Sequence, residues 1–158
     1  MTSLDILEQF GSVRRCLGRA ISPFLQEINI GPKQLVVLRA IGKRGECSMS
    51  EIAEATASDM ASVTRMVTCL VSSNWVEKQK SEGDQRQWVV KLAAKGLEQW
   101  DTINSLVQDI AEVFVSELDK AEQKEFLRLL NKAQKGMDSS HSLRTVNAIH
   151  SSANKIQE

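Results

Sequence analysis

At Asn74 the spacing of apolar residues changes, and no other feature of this sequence restricts its fold as much. Before that point apolar side chains recur every three or four residues, the period of a helix with one buried face. After it they alternate, the period of a half-buried strand. Ser48-Met49-Ser50-Glu51 has the S-x-x-E form of a capping box, in which hydroxyl and carboxylate each satisfy an orphan amide at a helix start. The short helix it opens runs to about Thr56. Thr56-Ala57-Ser58-Asp59 reads as a turn, with Asp59 capping a second helix whose apolar residues Val63, Met66, Val67 and Leu70 face the first. Asn74 suits the left-handed residue that ends such a helix. Trp75 to Lys80 and Gln87 to Leu92 are then two short strands around a loop that contains Gly83. Two helices joined by about four residues form a helix-turn-helix, and a hairpin beside it is a wing.

The flanking segments are helical. Ile6, Phe10, Val13, Leu17, Ala20, Ile21, Phe24 and Ile28 recur at steps of three and four, and Pro23 either kinks this helix or begins a second turn. So wide an apolar stripe must be buried, and a short chain often uses a second copy of itself. Gly31-Pro32 opens a compact helix through Leu35, Val36, Leu38 and Ile41, broken between Gly42 and Gly45. From about Ala94 a long helix follows, through Leu97, Trp100, Ile103, Ile110 and Phe114 to Leu118, about 37 Å at ~1.5 Å per residue. Asp119-Lys120-Ala121-Glu122 restarts it as a last strong helix with Phe126, Leu127, Leu129, Leu130 and Ala133. Beyond Gly136, Leu143, Val146, Ile149, Ala153 and Ile156 fit one face of a further helix, and a disordered Ser-rich tail is the other reading.

Several function classes are disfavoured. With 158 residues, 42% of them hydrophobic and 25% charged, the chain can bury one real core. The apolar run Leu35 to Leu38 is far short of the ~18 residues of a membrane span, and the start Met1-Thr2-Ser3-Leu4-Asp5 lacks the pattern of a signal peptide. The expected location is the cytoplasm, with reduced thiols. Cys16, Cys47 and Cys69 lie far apart with no C-x-x-C pair, so neither a disulfide framework nor a zinc site is indicated. His141 and His150 are the only histidines and fall in the tail, and there is no Gly-rich phosphate loop. An enzyme is disfavoured, and no cofactor or metal is expected. Net charge is zero, but residues 31 to 100 hold 10 basic against 8 acidic residues, a faint pointer to an anionic partner.

The second helix of the helix-turn-helix, residues 60 to about 73, has the width that fits a DNA major groove. With Val63, Met66, Val67 and Leu70 turned inward, its outer stripe is Ala61, Thr64, Arg65 and Thr68, led by Met60 and Ser62. Arg65 is the helix's one basic residue and the natural base reader, because a guanidinium can bond guanine O6 and N7 together. Asp84 and Arg86 are two apart in the wing loop, so the carboxylate can hold the guanidinium in place, and an arginine at a hairpin tip suits a narrow minor groove. Lys78, Lys80 and Lys91 on the strands can contact phosphates. Solvated charges are the bland reading of all of them.

Leu35 to Trp100 resembles the winged helix-turn-helix of the MarR family of bacterial transcription regulators. The resemblance rests on Gln34 to Ile41, Ser48 to Glu54, Ser62 to Val67, and Asp84-Gln85-Arg86 leading to Leu92 and Lys95-Gly96, in family order and at family spacing. With the flanking helices it covers about residues 4 to 136. It implies a mainly α fold with a small β-hairpin wing. Residues 31–96 would form the DNA-binding domain, 1–30 and 97–136 a helical dimerisation region, and 137–158 a tail. It further implies an obligate homodimer that binds a pseudo-palindromic operator in double-stranded DNA, and the leading reading of the chain is a repressor.

Met60 and Ala61 depart from the family pattern, standing where a polar or basic residue and a serine are frequent. Readout would then rest more on Arg65, Ser62, Thr64 and the wing. Asn74 replaces a usual glycine and Ala93 a usual threonine. The resemblance also implies control by a small lipophilic or phenolic effector or by an oxidant. Cys16 is placed like the sensing thiol of the family's hydroperoxide branch, but the chain has no tyrosine to accompany it, and a buried helix cysteine is the favoured reading. Oxidation of Cys69, beside the core stripe of the recognition helix, would disturb DNA binding. The competing reading is a winged-helix protein that acts through protein partners with weak or no specific DNA binding, to which zero net charge, Met60 and Ala61 lend some weight.

Overall fold

A computed structural model describes residues 2–81, 83, 84 and 86–138. The order is α1 (Ser3–Glu27), α2 (Pro32–Arg44), β1 (Glu46–Ser48), α3 (Met49–Thr56), α4 (Met60–Ser72), β2 (Val76–Lys80), β3 (Trp88–Leu92), α5 (Ala94–Phe114) and α6 (Lys120–Asp138). A first unit runs to Val113 and a second begins at Phe114. The expected tail at 137–158 falls mostly outside the described residues.

Local chemistry starts and stops these helices. The Ser48 hydroxyl accepts from the Glu51 amide at 3.2 Å, and the Glu51 carboxylate accepts from the Ser48 amide at 2.8 Å. Asp59 takes the Ser62 amide at 2.9 Å. At the end of α4 the Asn74 amide donates to Val71 O and the Trp75 amide to Leu70 O at 2.9 Å, with Asn74 left-handed at φ 59°. That is a Schellman turn with asparagine in the glycine position. Pro23 lies within an unbroken α1.

Two expectations need correction. The wing is a three-stranded antiparallel sheet in the order β1-β3-β2, because Glu46, Cys47 and Ser48 pair with Lys91, Val90 and Val89. The long helix α5 ends at Phe114 rather than Leu118, about 31 Å from its start at ~1.5 Å per residue. Its period continues, but side chains take the backbone groups that follow. Gln123 Nε2 donates to Leu118 O at 2.9 Å, and Asp119 accepts from the Ala121 and Glu122 amides at 2.7 and 2.9 Å.

The core is gathered around the helix-turn-helix: Val37, Leu38 and Ile41 from α2, Ile52 from α3, Val63 and Leu70 from α4, Trp75 from the turn that leads into β2, Val76, Val90 and Cys47 from the sheet, and Ile103 from α5. The second half of α1 docks on it through Leu25, with Ile21, Phe24 and Ile28 alongside. Its first half leaves Leu4, Ile6, Leu7 and Phe10 exposed. Burial explains two glycines. A methyl at Gly42 would overlap the Trp100 ring, and one at Gly96 would fall on the Trp75 carbonyl oxygen.

The caps make the fold sensitive to acid. Amide and hydroxyl donors of Ser48 hold the Glu51 carboxyl below its usual range, and those of Ser62 do the same for Asp59. A carboxyl with a depressed folded pKa contributes stability above its unfolded value and loses it as pH falls through the folded one. The melting temperature should therefore drop between about pH 5 and about pH 3, and drop less in Glu51→Gln/Asp59→Asn. Circular-dichroism melts in which the variant lost as much as the wild type would show that these caps do not carry the effect.

Candidate nucleic-acid interface

Helix α4 turns Val63, Val67 and Leu70 into the core, which leaves Met60, Ala61, Thr64, Arg65 and Thr68 exposed on the opposite stripe, with Ser62 half-buried at its leading edge. The polar groups of that stripe are organised from within. Ser62 donates its hydroxyl proton to Asp59 at 2.7 Å, and Arg65 Nη2 donates to Ser62 Oγ at 3.3 Å. The helix cap thereby positions the arginine. Thr64 and Thr68 donate to the carbonyls of Met60 and Thr64, each at 2.8 Å. Their donor protons are used by the helix itself, so they offer methyl groups and acceptor lone pairs outward. The stripe thus presents one guanidinium fork among small apolar surfaces, a set matched to guanine edges and thymine methyls.

The wing tip differs in one respect from the sequence expectation. Asp84 does not grip the Arg86 guanidinium; its carboxylate accepts from the Arg86 amide at 2.9 Å, and its carbonyl accepts from the Gln87 amide at 2.9 Å. An aspartate finds a backbone donor two residues on more readily than a mobile side chain. Asp84 therefore shapes the turn, and Arg86 stands exposed at its end. Glu82 and Gln85 lie outside the described residues. On the strands, Lys91 is within 3.4 Å of Glu46 across β1 and β3. Lys78 and Lys80 both lie over the ring of Trp88, at 5.2 and 4.3 Å from its centroid. Trp88 has no part in the sequence-based site. The signal was present: K-x-K on one strand opposite a tryptophan on the next puts three such side chains on one face.

The thiols occupy three settings. Cys47 is buried, and burial together with the nearby Glu51 charge pushes its pKa up. Cys16 is exposed, which corrects the buried position expected of it, and it receives a contact from Arg19 Nη2 at 3.2 Å. It lies outside the stripe of α1 that docks. Cys69 is also exposed and forms one wall of a cleft of about 500 Å³, with Ser22, Leu25 and Gln26 of α1 and Ile30 and Pro32 beyond it. Among the described residues no helix is long and apolar enough to cross a membrane, and no cluster of three or more candidate ligands is arranged for a metal.

Comparison with known proteins agrees with this geometry. Residues 30–88 match the model of the MarR family. The HTH-type transcriptional regulator BilQ of Clostridium symbiosum is 30% identical over 111 residues, which span 70% of this chain and 77% of BilQ. The HTH-type transcriptional repressor NicR of Pseudomonas putida is 28% identical over 135 residues, 83% of this chain and 85% of NicR. Among solved structures, a mutant MarR from E. coli complexed with operator DNA superposes with a TM-score of 0.69 at 26% identity, covering 82% of this chain and 93% of that one. Sequence match and superposition both extend well past the helix-turn-helix into the flanking helices, and the chain belongs to the MarR family of winged helix-turn-helix, DNA-binding transcription regulators.

Proposed function

We propose that this chain is a cytoplasmic, homodimeric repressor. It binds a pseudo-palindromic operator in double-stranded DNA through Arg65 and its neighbours on α4 and through Arg86 at the wing tip. The observation that carries the reading is the chain of contacts from Asp59 through Ser62 to Arg65 on the exposed stripe of α4. A solvated arginine needs no such positioning, and a base reader does. NicR is a repressor and the E. coli protein is bound to operator DNA, which supports the same role here.

Residues 31–96 would be the DNA-binding domain, and 1–30 with 97–136 the dimerisation region. The exposed apolar residues of α1, and Phe126, Leu127 and Leu129 of α6, are surface that a second copy would bury. Two recognition helices must sit about 34 Å apart to enter successive major grooves on one DNA face. A small lipophilic or phenolic effector in the cleft beside Cys69 would touch both α1 and the recognition helix, and oxidation of Cys16 or Cys69 would act on the same two elements. Either signal lowers affinity by shifting the spacing of the two helices, and no catalytic step is involved.

The test is to select genomic DNA fragments with the purified full chain and to repeat the strongest site at several salt concentrations. A short pseudo-palindrome whose affinity falls steeply with salt is the expected result, with Arg86→Ala weakening it by roughly 1 to 3 kcal/mol. Folded dimer that enriches no sequence would overturn the reading and favour a protein partner.

A further inference from the structure

Trp88 is nearly half exposed, at 45%, on the wing of a chain with few aromatic residues. Register fixes the face it shares. Val76, Lys78 and Lys80 alternate along β2 opposite Leu92, Val90 and Trp88 on β3. Val76 and Val90 are fully buried in the core with α2, α3 and α4. The helix-facing side of the sheet is therefore apolar near the core and becomes Lys-Trp-Lys where the hairpin runs past it. The other face differs, since Lys91 there is paired with Glu46.

The ring holds both ammonium groups by their attraction to its π face. Two like charges gathered on one ring repel each other and favour an anion shared between them. Each ammonium has three donors and keeps some of them free while it rests on the ring. Any duplex that admits α4 to its major groove and the wing tip to the adjoining minor groove carries one phosphodiester strand between the two. On the DNA-binding reading, that strand would run along the helix side of the wing.

We propose that Trp88, Lys78 and Lys80 act as one grip on this strand, with Trp88 as a positioning residue that presents both lysines to it. The inference rests on the DNA-binding reading above and adds a sequence-independent anchor to it.

A mixed-sequence duplex of about three helical turns is the probe, titrated with full-length protein from about 50 to about 200 mM salt. Lys78→Gln/Lys80→Gln should flatten the slope of log affinity against log salt by about 2, close to 0.9 for each phosphate that the variant no longer neutralises. Trp88→Ala should weaken binding roughly three- to tenfold, Trp88→Phe much less, and Trp88→Ala should add nothing in the double-lysine background. An unchanged affinity in Trp88→Ala, or a full additional loss in that background, overturns the grip. Thermal melts of these variants should match the wild type, because Trp88 lies outside the core. If Trp88→Ala failed to fold, shielding of wild-type Trp88 from acrylamide quenching by the duplex would decide: protection supports the grip and its absence sinks it. Wild-type protein that bound no duplex at any salt would instead remove the DNA-binding reading itself.

Discussion

Trp75→Ala should cost the fold roughly 3 to 5 kcal/mol, the range for truncating a buried tryptophan. Trp75 is 1% exposed and the largest fully buried side chain among the described residues. It stands where three elements meet. Its amide closes the turn after α4 on Leu70 O, and its carbonyl accepts from the Ala93 amide at 3.0 Å, one residue before α5 begins. The Gly96 backbone packs against that same carbonyl, and Lys95 Nζ lies 4.6 Å from the ring centroid. Alanine leaves a cavity at this junction that the surrounding main chain is too constrained to fill. Against a typical total stability of about 5 to 15 kcal/mol, the loss removes a large part of what holds the domain together. Urea unfolding should show a much lower midpoint, and DNA affinity should fall with the folded fraction. A loss under about 1 kcal/mol would mean that the site collapses freely and that the junction is not organised by this ring.

Arg65→Ala should weaken binding to the selected operator by roughly 1 to 3 kcal/mol and relax base preference at one position of each half-site. The melting temperature should hold, since Arg65 is exposed and its hydrogen bond to Ser62 lies on the surface of the helix. Arg65→Lys should recover the charge but not the discrimination, because an ammonium cannot make the paired bonds of a planar fork. Repeating the site selection with each variant separates the two effects. An Arg65→Ala protein that enriched the same sequence with the same affinity would remove this residue, and with it the assigned recognition stripe.

The helix-turn-helix was legible because its determinants are local. Ser48 and Glu51 lie one turn apart, Asp59 and Ser62 likewise, and Asn74 adopts the left-handed conformation its position required. What escaped depends on distant chain or on competition for one group. Glu46-Cys47-Ser48 is too short to show a period, and it becomes a strand because β3 has an open edge to receive it. The end of α5 is set by Asp119 and Gln123 against an apolar pattern that runs on to Leu118. At the wing tip, the Arg86 amide and guanidinium both suit Asp84, and the amide is already within reach. Alternation assigns Trp88 to a face of the hairpin but says nothing of how far the core extends beneath that face.

The order of the sheet matters to anyone who would move parts between such proteins. Because β3 lies between β2 and β1, the hairpin is sewn by its middle strand to the three residues that lead into α3. A wing transplanted as 76–92 alone would leave the outer hydrogen-bonding edge of β3 without the partner it was shaped for, and would leave the Ser48 cap of α3 without its neighbour. The transferable module is discontinuous in sequence, and a chimera that exchanges wings has to carry Glu46–Ser48 with the hairpin.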